Sequence, residues 1–122
     1  MQLPESAVRE ATGAAFEAAR KFEPISTAAA NAVEALRPLP GLRRGGAVAS
    51  AVLTAGAPER MAVYDRRAHE SLRKLGISVG YKPGIYSRYM AVVEALRNDV
   101  NNSRSLAWRA RDVDLALYWM AE

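Results

Sequence analysis

The 122-residue chain contains no cysteine and one histidine, His69. Without cysteine there are no disulfide bonds, thiolate zinc sites or cysteine nucleophiles. A histidine-based metal site or triad would have to be built around a single imidazole, so we predict no metal site and no cofactor. The lack of cysteine also agrees with a reducing compartment, and we expect a cytoplasmic protein.

Long apolar runs and lysine are scarce as well. No run approaches the ~20 residues of a membrane span, and no charged stretch followed by an apolar one opens the chain, so we expect neither a membrane anchor nor a signal peptide. Lysine occurs only as Lys21, Lys74 and Lys82, and the formal charge of +4 rests mainly on arginine. This balance permits binding to nucleic-acid phosphates, although many proteins without a polyanionic partner share it.

Apolar residues recur at intervals of three and four, and no segment shows convincing strand alternation. The pattern predicts one all-α domain of five to six helices over residues 1–122. Prolines, glycines and a polar break at Asn101-Asn102-Ser103 separate the predicted helices. The first helix is predicted to bury Val8, Ala11, Ala15, Ala19 and Phe22, and the third to bury Val48, Ala51, Val52 and Ala55.

Asp65 stands between a short extended run, Met61 to Tyr64, and a predicted helix that ends at Gly76. Aspartate is among the preferred N-cap residues, and glycine is the preferred residue just after a helix. The sequence therefore predicts that the Asp65 carboxylate accepts a hydrogen bond from a backbone N–H group near Ala68. Such a cap stabilises a helix by roughly 1 kcal/mol.

The middle of the chain resembles the helix-hairpin-helix DNA glycosylase superfamily. Leu39-Pro40-Gly41 is followed by a helix of small residues, Ala47 to Ala55, and then by Val63-Tyr64-Asp65. The superfamily has a leucine-proline-glycine hairpin, a helix with a short V-A-D or T-A-x segment, and an aspartate after an apolar pair. The segments 58–67 and 111–119 also resemble segments of a group of small bacterial proteins.

This resemblance implies a helix-hairpin-helix unit at about residues 39–56 that binds DNA. In such a unit, backbone N–H groups at a glycine-rich turn and the positive end of a helix dipole hold a phosphate. The resemblance also implies that Asp65 is catalytic and stabilises the positive charge of a sugar that is losing its base, or activates water. The residues that it implies for DNA contact are Gly41, Arg43, Arg44, Gly45, Gly46, Arg66 and Arg67.

The chain departs from the superfamily in its hairpin, which is about two residues longer than the usual G-x-G and contains no lysine. A Schiff-base mechanism is therefore disfavoured, and any base excision is expected to be monofunctional. The main prediction is a DNA-binding protein of glycosylase-like ancestry. The alternative is a helical interaction module without catalysis, acting as a homodimer or binding another protein.

Several residues have two interpretations. His69 is expected at the surface, with pairing to Asp65 as the alternative. Trp108 and Trp119 are expected in the core or an interface, with base stacking as the alternative. Asp112 and Asp114 are expected to interact with the dipole of the last helix, with an acidic cleft beside Asp65 as the alternative. The same choice between packing and stacking on single-stranded nucleic acid applies to Tyr81, Tyr86 and Tyr89.

Overall fold

Six α-helices make up the regular structure of the part that the computed structural model describes, residues 3–42, 46–80 and 82–121. They fold into one domain, which confirms the predicted all-α class and helix number. Arg43, Arg44, Gly45 and Tyr81 lie outside the described residues. The helices are α1 (Glu5–Arg20), α2 (Ile25–Leu36), α3 (Ala47–Gly56), α4 (Arg66–Lys74), α5 (Ile85–Arg104) and α6 (Ala110–Met120).

The core is built largely from alanine. On α1, Ala15 and Ala19 are fully buried, and α2 faces them with its own alanine stripe. Such small side chains let two helix axes approach closely. Helix α5 covers the other side of α2, with Tyr89, Met90 and Val93 fully buried. Helix α4 packs on α6, the last helix of the chain.

The predicted face of α1 is too long at both ends. Val8 is 41% exposed and Phe22 is 99% exposed. Phe22 lies beyond the last residue of α1, Arg20, so the helical period no longer fixes its direction. Only the central alanines of the predicted stripe belong to the core.

The predicted face of α3 is wrong. Val48 is 65% exposed, whereas Ser50 and Thr54 lie on the buried face with Ala49 and Leu53. Both hydroxyls are hydrogen-bonded: the Ser50 Oγ accepts from the Tyr64 N–H at 2.9 Å, and the Thr54 hydroxyl donates to the Ser50 carbonyl at 2.7 Å. A buried hydroxyl is tolerated when such bonds are made, so the hydrophobic pattern misplaces this helix.

The predicted break at Asn101-Asn102-Ser103 is also wrong, because α5 continues to Arg104. The Asn101 side chain accepts from the Trp108 N–H at 2.8 Å and donates to the Trp108 carbonyl at 3.1 Å. These bonds join the helix to the segment before α6, so asparagine acts here as a tertiary partner. The C-cap after Arg104 is Ser105, which has a positive φ of 53°.

The connector between α3 and α4, residues 57–65, runs through the middle of the domain without regular structure. Its buried backbone groups need partners. The Tyr86 hydroxyl donates to the Ala62 carbonyl at 2.8 Å, and the Tyr89 hydroxyl donates to the Val63 carbonyl at 2.7 Å. Burial raises the pKa of both tyrosine hydroxyls, which keeps them protonated as donors.

The same connector holds the ends of other helices. The Pro58 and Glu59 carbonyls accept from the N–H groups of Arg111 and Ala110, the first turn of α6. The Arg60 side chain donates to the Ala19 carbonyl at 3.1 Å, near the end of α1. These bonds satisfy helix-terminal groups that have no partner within their own helix.

Tyr89→Phe tests the role of the connector. The substitution leaves the Val63 carbonyl without its donor in a buried place, and we expect a loss of about 1–3 kcal/mol in the free energy of unfolding. Tyr118→Phe is the matched control, since Tyr118 is 39% exposed, and it should change the stability by less than about 0.5 kcal/mol. Urea titration measures both; equal losses would contradict the assignment.

Candidate functional site around Asp65

Two helix N-termini meet at one point of the structure. Ser50, in the first turn of α3, bonds to the backbone of Tyr64, and Asp65 follows directly as the N-cap of α4. The N-cap of α3 is Gly46, which has no side chain to accept a capping bond. Gly46, Ala47 and Val48 are exposed, so the positive end of α3 opens to solvent beside Asp65.

Asp65 is the N-cap that the sequence predicts. Its Oδ1 accepts from the Ala68 N–H at 2.9 Å, and its backbone is extended as an N-cap requires. At the other end of α4, Gly76 has a φ of +78° and the Ile77 N–H donates to the Leu72 carbonyl at 2.8 Å. This pattern is a Schellman motif, and it confirms the predicted C-terminal cap.

Asp65 also lines a surface depression of about 220 Å³ between the connector and α6, which we call the Asp65 pocket. Its volume is below the ~300–1,000 Å³ of pockets that hold drug-sized ligands. It therefore admits a single ring or sugar rather than a larger molecule. The lining residues that carry its chemistry are Val63, Asp65, Arg111, Asp114, Tyr118 and Trp119.

Asp114 brings a second carboxyl group to this pocket. Its Oδ2 accepts from the Val63 N–H at 2.7 Å, and its Oδ1 pairs with Arg111 Nη1 at 2.5 Å. Burial raises the pKa of Asp114; the Val63 N–H and the Arg111 guanidinium oppose that rise, and the nearby Asp65 carboxylate adds to it. The acidic cleft left open as an alternative is therefore formed by Asp65 and Asp114.

Asp112 takes the other predicted role. It accepts from the Arg109 N–H at 2.8 Å, which gives the N-cap N–H group of α6 a partner in the first turn of that helix. Bonding to the Arg109 backbone lowers the pKa of Asp112. His69 contacts the Tyr64 hydroxyl through Nδ1 at 3.0 Å, so the described structure pairs this histidine with a tyrosine.

The predicted DNA-contacting residues fall into three groups. Arg66 and Arg67 are exposed in the first turn of α4 and directly follow Asp65. Gly41 has a φ of +82° and follows α2, and Gly46 is the N-cap of α3. Arg43, Arg44 and Gly45 lie outside the described residues.

The aromatic residues separate into core and surface. Tyr86 and Tyr89 are buried, and Trp108 packs against the core at its edge. Trp119 is instead 68% exposed at the rim of the Asp65 pocket, which contradicts a core position for it. The Arg67 guanidinium lies 4.2 Å from the centre of the neighbouring Tyr118 ring.

Sequence reasoning missed Arg111 and Ser50 as members of this site. The signal for Arg111 was its place in the segment 111–119, which the structure brings against the segment 58–67.

Scans against protein-family models, curated proteins and solved structures found no match. In the described ranges, no three histidine or carboxylate side chains form a metal-binding group, and no helix could cross a membrane.

The pKa of Asp114 gives a pH prediction. The folded chain holds this proton more tightly than the unfolded chain, whose carboxyl titrates near 3.8. Stability from this group is fully present below that value and is lost as pH rises through the higher native pKa. The difference in unfolding free energy between wild type and Asp114→Asn should fall as pH rises. Urea titrations from about pH 3 to 7 measure it, and a rising difference would contradict the assignment.

Proposed function

We propose that the chain is a DNA-binding protein of helix-hairpin-helix glycosylase-like ancestry. The observation that carries the proposal is the meeting of the open α3 N-terminus with the Asp65-capped α4 N-terminus, joined by the Ser50–Tyr64 bond of 2.9 Å. At the α3 end, which has no side-chain cap, the backbone N–H groups and the helix dipole favour an anion. DNA phosphate is the anion that the basic composition and the resemblance both suggest.

The charges around the Asp65 pocket favour a nucleotide in one orientation. Arg66 and Arg67 lie on the outer surface of α4, while the carboxyl groups of Asp65 and Asp114 lie in the pocket. A phosphate is attracted to the arginines and repelled by the carboxylates. A bound strand is therefore expected to pass with its phosphates over α4 and its sugar or base toward the pocket.

Salt dependence tests the DNA proposal. The logarithm of the duplex binding constant should fall linearly with the logarithm of the salt concentration, because phosphate contacts release counterions. Arg66→Gln should lower affinity uniformly across sequences and reduce the slope by about one. Arg9→Gln is the control, since it removes the same charge from an exposed ion pair on α1 and should leave the slope unchanged.

Fluorescence anisotropy with labelled duplex and single-stranded DNA at low salt provides the measurement. Absence of binding by the wild type to both probes would reject the DNA proposal. Equal slope changes for Arg66→Gln and Arg9→Gln would show that the effect is one of net charge, and Arg66 would then be removed from the site.

Base excision is a second candidate function, which the opening of Asp65 onto the pocket favours. In this reaction the Asp65 carboxylate stabilises positive charge on the sugar as the base leaves. None of the lysines lines the pocket, and Lys74 donates instead to the Met120 carbonyl at 3.2 Å. A covalent Schiff-base intermediate is therefore not expected.

Asp65→Asn separates catalysis from capping. Asparagine caps a helix about as well as aspartate, so the melting temperature should stay nearly unchanged while release of bases from damaged duplexes is lost. Asp65→Ala is the structural control and should cost about 1 kcal/mol of stability.

Borohydride should trap no covalent complex between the chain and DNA. Full base release by Asp65→Asn would place catalysis elsewhere; no release by wild type from alkylated, deaminated or oxidised duplexes would reject the enzyme.

The alternative is an interaction module or homodimer. Its support is the outer face of α6, where Leu115, Tyr118, Trp119 and Met120 are each at least 39% exposed. Analytical ultracentrifugation of the free chain distinguishes this alternative from a monomeric DNA-binding protein. We favour DNA because basic side chains from α4 border the same face.

A further inference from the structure

Trp119 is a large aromatic residue that is mostly exposed beside the Asp65 pocket. It is 68% exposed at the rim of the Asp65 pocket and stands nearly perpendicular to Tyr118, with ring centroids 5.7 Å apart and an interplanar angle of 86°. Leu115 and Met120 extend the apolar surface on the same helix. An aromatic surface of this kind beside a pocket marks a binding site more often than an isolated exposed residue does.

Cations border this aromatic surface on the side of α4. The Arg67 guanidinium lies 4.2 Å from the Tyr118 ring centre, and Lys74 Nζ donates to the Met120 carbonyl at 3.2 Å. Arg111 lines the pocket itself, where its guanidinium is already paired with Asp114, so Arg67 and Lys74 are the cations that border the aromatic surface. Exposed aromatic rings combined with cations are the features that bind single-stranded nucleic acid, since bases stack on the rings and phosphates contact the cations.

We propose that Trp119 is the stacking platform for one unpaired base of DNA, held at the mouth of the Asp65 pocket. This inference rests on the proposed DNA binding and specifies its ligand as DNA that contains an unpaired nucleotide. Paired bases already stack on their neighbours within the duplex, so only an unpaired base can present a free face to the indole. A second copy of the chain would bring the same cations to the patch, whereas a nucleotide brings the complementary charge.

The test compares three versions of one short labelled duplex. The first is fully paired, the second carries a single bulged thymidine, and the third carries an abasic sugar in the bulge. The second and third share the bend and the phosphates and differ only in the base. The thymidine bulge should bind about five- to 150-fold more tightly than the abasic bulge, the range expected for stacking one base on an aromatic side chain.

Trp119→Leu should abolish this preference, so that the thymidine bulge and the abasic bulge bind with equal affinity. Phe22→Leu is the matched control, because Phe22 is an aromatic ring that is 99% exposed in the α1–α2 connection, and this variant should retain the full preference. The exposure of Trp119 predicts that Trp119→Leu folds normally, which circular dichroism checks.

A direct readout uses the fluorescence of Trp119. Trp108→Phe leaves Trp119 as the sole indole in a chain with two tryptophans. It also keeps the hydrogen bonds from the backbone at position 108 to the Asn101 side chain. The thymidine bulge should quench this emission, and the abasic bulge should quench it much less. Equal quenching by the two bulges would contradict stacking.

The outcomes separate this inference from the proposed function. If the wild type binds no DNA at all, the proposed function fails and the stacking site fails with it. If the wild type binds all three duplexes equally, DNA binding stands and the stacking proposal alone is overturned. If Trp119→Leu converts a dimer to a monomer in the ultracentrifuge without changing the bulge preference, the surface is an interface between copies and the proposal is likewise overturned.

Discussion

The candidate site depends on one constraint, which is that the buried backbone of the extended connector must find hydrogen-bond partners among helices. Helices satisfy their own backbone groups, so a non-helical segment inside a helical domain has to recruit side chains. The connector recruits Ser50 from α3, Tyr86 and Tyr89 from α5, and Asp114 from α6. Because a buried unpaired group costs about 1–3 kcal/mol, these bonds fix the register in which three helices pack against the chain just before Asp65.

The same bonds turn two distant segments into one site. The first turn of α6 rests on the carbonyls of Pro58 and Glu59, and one turn later Asp114 reaches the Val63 N–H. This register brings Arg111 and Trp119 into the lining of the same pocket as Asp65. The arrangement gives a physical reason for the two segments, 58–67 and 111–119, that stood out in the sequence: each completes the hydrogen bonds of the other.

The two ends of α4 were predicted correctly because they depend only on neighbouring residues. The Asp65 cap and the Gly76 terminus follow from side-chain and φ preferences within a few residues, and both are found in the structure. The buried face of α3 could not be predicted from hydrophobic periodicity, because that pattern places a polar residue such as Ser50 at the surface. Ser50 is buried because it bonds to Tyr64, which is fourteen residues away in the sequence. Asp114 posed the same problem with a partner 51 residues distant. For Trp119, helical spacing gives a direction, but only packing decides how much of the α6 surface other helices cover.

The charge layout of the Asp65 pocket bears on how the proposed DNA ligand would lie against it. Asp65 and Asp114 place two carboxyl groups inside a depression of about 220 Å³, and the arginines of α4 stand on its outer side. Phosphate in the pocket would meet the Asp65 carboxylate and an Asp114 carboxyl group that already pairs with Arg111. Phosphate over α4 would meet guanidinium groups and, on the α3 side, a helix N-terminus. For the proposed DNA ligand, the carboxylates therefore exclude the backbone from the pocket and leave the base and sugar as the parts that can enter it.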